Sequence, residues 1–367
     1  MIDIKYLEKQ NFNKNSITTS KINKNFYKKL NEIYLDFKKN NTKKDIKIIE
    51  ETNFEINNYT GEFITDKIKN KLSKLKFSKI INYNFLNTNV EIKLYYNTIT
   101  QKNINDIIDT INFTMTTFKY LNNYKENIKL YIYYSNNNKK FNINKKNQLI
   151  HENINSAFTT YYKNETDENQ NYIVIYRTEE LNKVLIHELL HLYNLTNFKV
   201  KSNIDLIKLF NTNSELLISE SYVETFAILL YTFLYSKKNN KDFNKLLNKQ
   251  ILFSLFQSSK ILLNQNIKKL EYPIKINEKT SSISYYFIKS SILLNLNLFN
   301  NFNLDINKIY LDNSNKINKF NKNISDSLYN KDFINKINQN LKLLIKSNNK
   351  NFKNQKLLKT FRMNILD

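Results

Sequence analysis

Two histidines and a glutamate near the middle of the chain have the types and the spacing for metal-dependent hydrolysis. The run VLIHELLHLY, residues 184–193, places His187 and His191 four residues apart, with Glu188 directly after the first histidine. On a helix this spacing brings both imidazoles to one face, about one turn apart, so that they can bind one tetrahedral zinc ion. A glutamate at the intervening position reaches a water on the metal rather than the metal itself. The spacing therefore predicts one catalytic Zn2+ ion, with Glu188 as the base that takes a proton from its water.

The motif is too specific to be dismissed as a chance pattern. With 3 histidines in 367 residues, and all 33 acidic residues counted as glutamate, about two chains in a thousand of this composition would contain it by chance. The alternative is a core helix whose histidines and glutamate are only structural. We favour the metal site because apolar residues flank the motif on nearly all sides, and ionisable groups on a buried helix need partners. The flanking residues are Val184, Leu185, Ile186, Leu189, Leu190 and Leu192.

A third protein ligand must come from elsewhere in the chain, because a catalytic zinc site normally has three and a water. The chain has no cysteine, so the ligand must be a histidine or a carboxylate. Asn197 occupies the position, six residues after His191, where one class of zinc enzymes has its third histidine. The segment ELLISESYVETFAILL offers Glu220 and Glu224 on one face of an apolar helix. Two carboxylates one turn apart in such surroundings repel each other unless a cation lies nearby, so either can be the third ligand.

HELLH followed by ESYVE resembles the gluzincin class of zinc metallopeptidases. The resemblance implies that Glu220 is the third zinc ligand and that Glu224 holds one of the histidine ligands by a hydrogen bond. The reverse assignment of the two glutamates remains open. The class often uses a tyrosine or a histidine to stabilise the oxyanion. No histidine follows His191, so the candidates are Tyr285 and Tyr286 on a later helix, with ordinary core or surface tyrosines as the alternative.

A second part of the resemblance lies upstream of the motif. The run NSAFT, residues 155–159, is similar to the edge strand of gluzincins, whose backbone pairs with an extended substrate peptide. The resemblance implies that a peptide substrate binds along Asn155, Ser156, Ala157 and Phe158. The longer run from NSAFT to HELLH is also similar to uncharacterised metallopeptidase-like proteins of large DNA viruses. The resemblance covers about residues 88–230.

The surrounding pattern predicts the elements that position these residues. Alternating apolar residues predict strands at 90–94 and 128–134, and the apolar run YIVIY at 172–176 predicts an interior strand. Helical spacing predicts a helix at 103–122. The helix that carries the motif is expected to begin with Thr178 as its N-cap and to run to about residue 196.

These elements predict an α+β, zincin-like fold with an active-site cleft between two lobes. Residues 86–198 are expected to form a mixed lobe of sheet and helix that contains the edge strand and the HExxH helix. Residues 199–367 are expected to form a mainly helical lobe that carries the third zinc ligand and ends in a basic region. Residues 1–85 are expected to form a Lys/Asn-rich, mostly helical extension. The helices of the second lobe are predicted at 203–210, 213–236, 242–265 and 281–298.

The formal net charge of +24 raises nucleic acid as a partner. Nearly all the basic residues are lysines, and the only arginines are Arg177 and Arg362. The chain therefore has few of the side chains that grip phosphate and guanine with two parallel hydrogen bonds. The abundance of Lys, Asn, Ile, Phe and Tyr is typical of an A/T-rich genome. Nucleic acid is therefore not expected to be the main partner.

The predicted function is a zinc-dependent metallopeptidase that hydrolyses peptide bonds of a peptide or protein substrate through a zinc-bound water activated by Glu188. A non-catalytic zinc-binding protein, structural or virion-associated, is the main alternative, and a basic nucleic-acid-binding protein is a weaker one. The N-terminal residues MIDIKYLEKQ contain no apolar leader, and no uncharged stretch reaches membrane-spanning length. The sequence therefore predicts a soluble protein without a signal peptide or membrane span, in the cytoplasm of the cell or host or associated with virions.

Overall fold

The computed structural model of the 367-residue chain describes residues 24–42, 45–51, 64–140, 148–160, 171–196, 204–212, 215–299, 302, 304–347 and 355–366. Contacts between residues divide the chain into two compact units. The sheet unit consists of the described parts of Lys28–Asn138 and Asn155–Leu195. The helical unit consists of the described parts of Met1–Tyr27, Lys139–Ile154 and Thr196–Asp367.

A six-stranded mixed sheet forms the centre of the sheet unit. Its strands are β1 (Lys47–Glu51), β2 (Phe77–Phe85), β3 (Thr88–Tyr96), β4 (Asn127–Tyr134), β5 (Ala157–Thr159) and β6 (Tyr172–Ile175). They lie in the order β1-β2-β3-β4-β6-β5, so β5 is an edge strand. Strands β1, β2 and β3 pair antiparallel, β3, β4 and β6 run parallel, and β5 is antiparallel to β6. The described helices are α1 (Lys24–Asn40, within this unit from Lys28), α2 (Asp66–Leu72), α3 (Gln101–Tyr120) and α4 (Leu181–Leu192).

Both faces of the sheet bury apolar side chains. On β3, Val90, Ile92 and Leu94 share one face and are buried, as the period of two along a strand requires. On the opposite face, Tyr95 and Tyr133 stack with ring centroids 4.8 Å apart, within a core cluster that includes residues of α2. Helix α4 packs against α3, β5 and β6. The position of α4 is therefore decided by its apolar contacts with the sheet and with α3.

The element predictions for residues 86–198 agree with the described strands and helices. Strands β3 and β4 contain the predicted segments, whereas α3 ends two residues and β6 one residue before the predicted end. The coarse expectation of an α+β fold with a mixed sheet is confirmed.

The expectation that residues 1–85 form a mostly helical extension missed two strands in the described part. This part contains α1 and α2, but also strands β1 and β2. In β2, FSKIINYNF, the adjacent Ile80 and Ile81 interrupt the alternation that marks a strand. The strand forms because all nine of its residues pair with the next strand, β3, in a hairpin, and this pairing outweighs the irregular pattern of β2 itself.

The helix that carries the histidine motif begins later than predicted, at Leu181 rather than after Thr178. The hydroxyl of Thr178 donates instead to the carbonyl oxygen of Ser135 at 2.8 Å. Glu180 directly precedes the helix with a left-handed backbone, at φ 65°. Thr178 therefore ties the end of β6 to the end of β4, and the helix starts only after the left-handed residue.

The helical unit is built mainly from long apolar helices. In chain order its labelled elements are α5 (Ile204–Leu209), β7 (Phe210–Thr212), α6 (Ile218–Lys238), α7 (Phe243–Asn264), β8 (Ile274–Ile276), α8 (Lys289–Leu294), α9 (Ile306–Ile309), α10 (Ser314–Leu328), α11 (Lys331–Ser347) and α12 (Gln355–Lys359). Strands β7 and β8 pair parallel. Helices α6 and α7 are buried over most of their length, and their buried residues include polar as well as apolar side chains.

The predicted helices at 203–210, 213–236 and 242–265 correspond to α5, α6 and α7, whereas the one predicted at 281–298 is divided. It consists of a π-helical segment (Ile283–Ile288), α8 and a 3-10 turn (Leu296–Leu298). The carbonyl oxygen of Tyr286 accepts hydrogen bonds from the hydroxyls of Ser258 and Ser290. These side-chain bonds satisfy a backbone group at the place where the helical register changes.

Among the helices that the structure describes, none combines the length and the apolar composition that a membrane span requires.

Candidate metal centre

The two histidines of the motif converge on one face of α4. Their Nε2 atoms lie 3.0 Å apart, and each residue is 6% exposed. Two nitrogen ligands of one tetrahedral zinc, each at about 2.0–2.1 Å, lie roughly 3.3 Å apart. The pair is therefore close to the spacing that a single ion requires. One imidazole N–H donating to the other ring would also satisfy this distance, so metal analysis must separate the two states.

Glu188 lies on the same helix and is held from the sheet by a threonine. The hydroxyl of Thr159, in the edge strand β5, donates to Oε2 of Glu188 at 2.7 Å and lies 3.2 Å from the backbone oxygen of the same residue. The carboxylate is nearly buried, at 6% exposure. Burial raises the pKa of the Tyr176 phenol. The positive charge of Arg177 opposes this rise, and the negative charge of Glu188 adds to it.

Glu220, on α6 of the helical unit, offers a third possible metal ligand beside the two histidines of the motif. All three residues are buried. Two imidazole nitrogens and one carboxylate oxygen are the donor set of many catalytic zinc sites, in which water takes the remaining position. The chemistry of these side chains therefore fits zinc.

Glu224, one turn after Glu220 on α6, faces a buried lysine. Nζ of Lys289 is 3.9 Å from Oε1 of Glu224, and both side chains are 1% exposed. Lys289 also lies 5.5 Å from the ring centroid of Tyr286 and donates to the carbonyl oxygen of Met363 at 3.4 Å. The positive charge of Lys289 thus explains how the buried carboxylate of Glu224 is stabilised on this helix. The hydrogen bond from a histidine ligand to Glu224 stays a prediction.

Replacing Lys289 with methionine is expected to lower the free energy of unfolding by about 3–5 kcal/mol, because the carboxylate of Glu224 would remain buried without its cation. The double variant Lys289→Met/Glu224→Leu should recover most of the loss, since it removes both charges and keeps the volume apolar. Urea unfolding of the wild-type protein, of Lys289→Met, of Glu224→Leu and of the double variant measures this. Losses in the single variants that simply add in the double variant would contradict the coupling.

The predicted substrate-binding segment forms the edge of the sheet. Ala157 and Phe158 belong to β5, where they pair with Ile175 and Val174 of β6. The carbonyl oxygen of Ser156 accepts from the backbone N–H of Tyr176 at 3.0 Å. Asn155 directly precedes this paired stretch. The segment is therefore an edge strand, as predicted, whereas its role in substrate binding stays a prediction.

The two tyrosines proposed for the oxyanion lie in the π-helical segment of the helical unit. Tyr286 is fully buried, and its hydroxyl donates to the carbonyl oxygen of Phe361 at 2.7 Å. Its ring stacks on that of Phe361 with centroids 4.6 Å apart. The single hydroxyl proton is thus used in a structural contact, which argues against an oxyanion role for Tyr286. Tyr285 is half-buried and remains a candidate.

The contacts of two residues near the candidate ligands were not predicted from the sequence. Thr159 is part of the NSAFT run, but nothing in its spacing indicates that it contacts Glu188. Lys289 interrupts an apolar stretch, and a lysine in such a stretch is a usable signal because isolated buried charges are costly. Its partner, 65 positions earlier in the chain, is visible only in the folded structure.

Comparison with known proteins places the chain beside a viral protein of undescribed activity. It is 30% identical, over an alignment of 169 positions, to an uncharacterised protein of Acanthamoeba polyphaga mimivirus. The aligned region covers 40% of this chain and 43% of that relative, so the chain spans less than half the length of the curated protein it matches. No family model and no solved structure matches the chain.

Proposed function

We propose that this protein is a zinc-dependent peptidase of the gluzincin type with a zincin-like fold. His187, His191 and Glu220 would hold the ion, and Glu188 would act as the base. The observation that carries the proposal is the convergence of the two Nε2 atoms, 3.0 Å apart, on a buried helix that also holds the buried Glu188.

A bound zinc ion would supply Lewis-acid chemistry, because it lowers the pKa of a water molecule towards 7 and polarises a carbonyl group. Glu188 would take up a proton at its carboxylate and return it to the leaving amine. His187 and His191 would orient the ion through Nε2. The negative charge of Glu220 would complete the set of protein ligands.

The position of Glu188 supports a catalytic rather than a purely structural centre. A structural zinc site closes all four positions with protein ligands and has no use for an additional base beside them. Here three residues form the group of possible ligands, and Glu188 lies in sequence directly after one of them. A buried carboxylate held by a hydrogen bond is costly to keep, and a reaction that uses it as a base accounts for its presence.

The edge strand β5 supports a peptide as the substrate class. Edge strands present backbone N–H and C=O groups that an extended chain can pair with. Asn155, Ser156, Ala157 and Phe158 would form this edge, and they lie next to Thr159, which contacts Glu188. A peptide added along β5 would therefore pass close to the base.

Metal analysis combined with a cleavage assay tests the proposal. The protein, purified without chelators, should contain about one zinc per chain and should cleave members of a fluorogenic peptide library. Treatment with 1,10-phenanthroline should abolish cleavage, and added Zn2+ should restore it. A protein purified in this way that contains no zinc and binds none on addition would overturn the proposal.

Two other outcomes of these measurements favour the alternatives. Stoichiometric zinc without cleavage of any library peptide would favour a non-catalytic zinc-binding protein, structural or virion-associated. Salt-dependent binding to duplex DNA in the absence of both zinc and cleavage would favour a nucleic-acid-binding protein. The similarity to the mimivirus protein supports the proposal that this protein is viral.

A further inference from the structure

We propose that Thr159 is a positioning residue that aims the carboxylate of Glu188, and that it does so from the same strand that would bind the substrate. The inference rests on the proposed peptidase function. It adds a residue outside the HExxH helix to the machinery, and it links substrate binding to the alignment of the base.

The contact has the geometry of a strong hydrogen bond. The Thr159 hydroxyl lies 2.7 Å from Oε2 of Glu188, within the short range typical of hydroxyl donors to ionised carboxylates. The backbone oxygen of Glu188 is farther away, at 3.2 Å. The single hydroxyl proton is therefore directed mainly to the carboxylate. Oε2 is held in this contact, which leaves the other carboxylate oxygen, Oε1, to take up a proton.

The threonine is itself held by the sheet. Thr159 pairs with Ile173 of β6 in the antiparallel ladder, and its β-branched side chain has few rotamers available. The hydroxyl is thus fixed relative to the strand, whereas Glu188 would otherwise be free to rotate about its side-chain bonds. Restricting such rotation is what alignment of a catalytic base requires, because misplacement by about 1 Å costs roughly 100-fold in rate.

The neighbouring threonine provides a matched comparison. The hydroxyl of Thr160 donates to the carbonyl oxygen of Tyr172 at 3.2 Å and accepts from the backbone N–H of the same residue at 3.0 Å. It therefore joins β5 to β6 and has no described contact with Glu188. The same threonine-to-valine change at the two adjacent positions separates a role in aiming the base from a role in holding the strand.

The kinetic test uses the zinc-loaded full chain and the library peptide that the wild-type protein cleaves fastest. Thr159→Val should lower kcat by about 10- to 100-fold and leave KM within about twofold. Thr159→Ser keeps the hydroxyl and should retain kcat within about threefold of the wild-type value. Thr160→Val should lower the melting temperature but leave kcat within about twofold. Zinc content should be unchanged in all three variants.

A stability measurement tests the contact independently of activity. In chelator-treated protein, Thr159→Val should lower the melting temperature by about 3 °C, because the carboxylate loses a charge-assisted hydrogen bond. In the Glu188→Ala background the same change should lower it by about 1 °C or less. Equal shifts in the two backgrounds would show that the two side chains are not coupled and would overturn the inference.

The possible outcomes separate the two proposals. If the wild-type protein cleaves peptide and Thr159→Val retains its full kcat, the positioning role is wrong and the peptidase function stands. If Thr159→Ser is as impaired as Thr159→Val, the hydroxyl is not the group that matters, and the role is again wrong. If the wild-type protein neither binds zinc nor cleaves peptide, the proposed function fails. A melting-temperature shift for Thr159→Val that depends on Glu188 would then identify a purely structural contact.

Discussion

Replacing Glu188 with glutamine is expected to lower peptide cleavage by about 1000-fold while zinc binding and the fold remain intact. Glutamine has nearly the same shape as glutamate and can still accept the hydrogen bond from Thr159, which lies 2.7 Å from the carboxylate. It cannot take up a proton at neutral pH, so only the base is lost. Glu188 follows His187 in the sequence and is not one of the possible ligands, which is why the metal should stay.

The measurement is kcat/KM for one library peptide, together with the zinc content and the melting temperature of each variant. Glu126→Gln is the matched control, because it makes the same chemical change at an exposed position of the same unit and should leave all three quantities unchanged. A Glu188→Gln variant that contains zinc and cleaves at more than about a tenth of the wild-type rate would exclude Glu188 as the base.

Replacing His191 with alanine is expected to weaken zinc binding by more than about 100-fold. Loss of a residue that only supports a ligand typically costs 10- to 100-fold in metal affinity, so loss of a ligand should cost more. The variant should also lose most of its stabilisation by zinc. At a free zinc concentration of about 1000 times the wild-type Kd, the ion stabilises the folded protein by about 4.1 kcal/mol. A 100-fold weaker site would provide only about 1.4 kcal/mol under the same conditions.

Titration with a chromophoric chelator gives the affinity, and melting curves with and without zinc give the stabilisation. His151→Ala is the natural control, because His151 is the remaining histidine of the 3 in the chain and lies in the short helix His151–Ile154, outside the ligand group. This variant should bind zinc as the wild-type protein does. Equal zinc affinities for His191→Ala and wild-type protein would remove His191 from the site.

Local spacing was sufficient to predict the face on which the two histidines meet. An i,i+4 pair on a helix converges whatever the rest of the fold, and the apolar flanks already indicated that this helix is buried. The strands at β3, β4 and β6 were also predictable, because alternation or a continuous apolar run marks strands in a sheet that buries both faces. The presence of a helix with Glu220 and Glu224 followed from composition in the same way.

Tertiary structure decided the features that depend on contacts distant in the chain. The motif helix starts after Glu180 because Thr178 is used by the neighbouring strand end. Lys289 neutralises Glu224 from another helix. The hydroxyl of Tyr286, which the sequence offered as an oxyanion donor, instead donates to the carbonyl oxygen of Phe361.

The sequence by itself determined the residues of this protein's candidate site: a histidine pair, a glutamate between them and a choice of two later glutamates. It did so because each of these groups is local to one helix, where spacing alone decides which side chains share a face. Only the tertiary structure decided what surrounds them, namely the threonine that donates to Glu188 and the lysine beside Glu224. Those partners are brought together by strand pairing and core packing between distant segments, and no periodicity in the chain records such contacts.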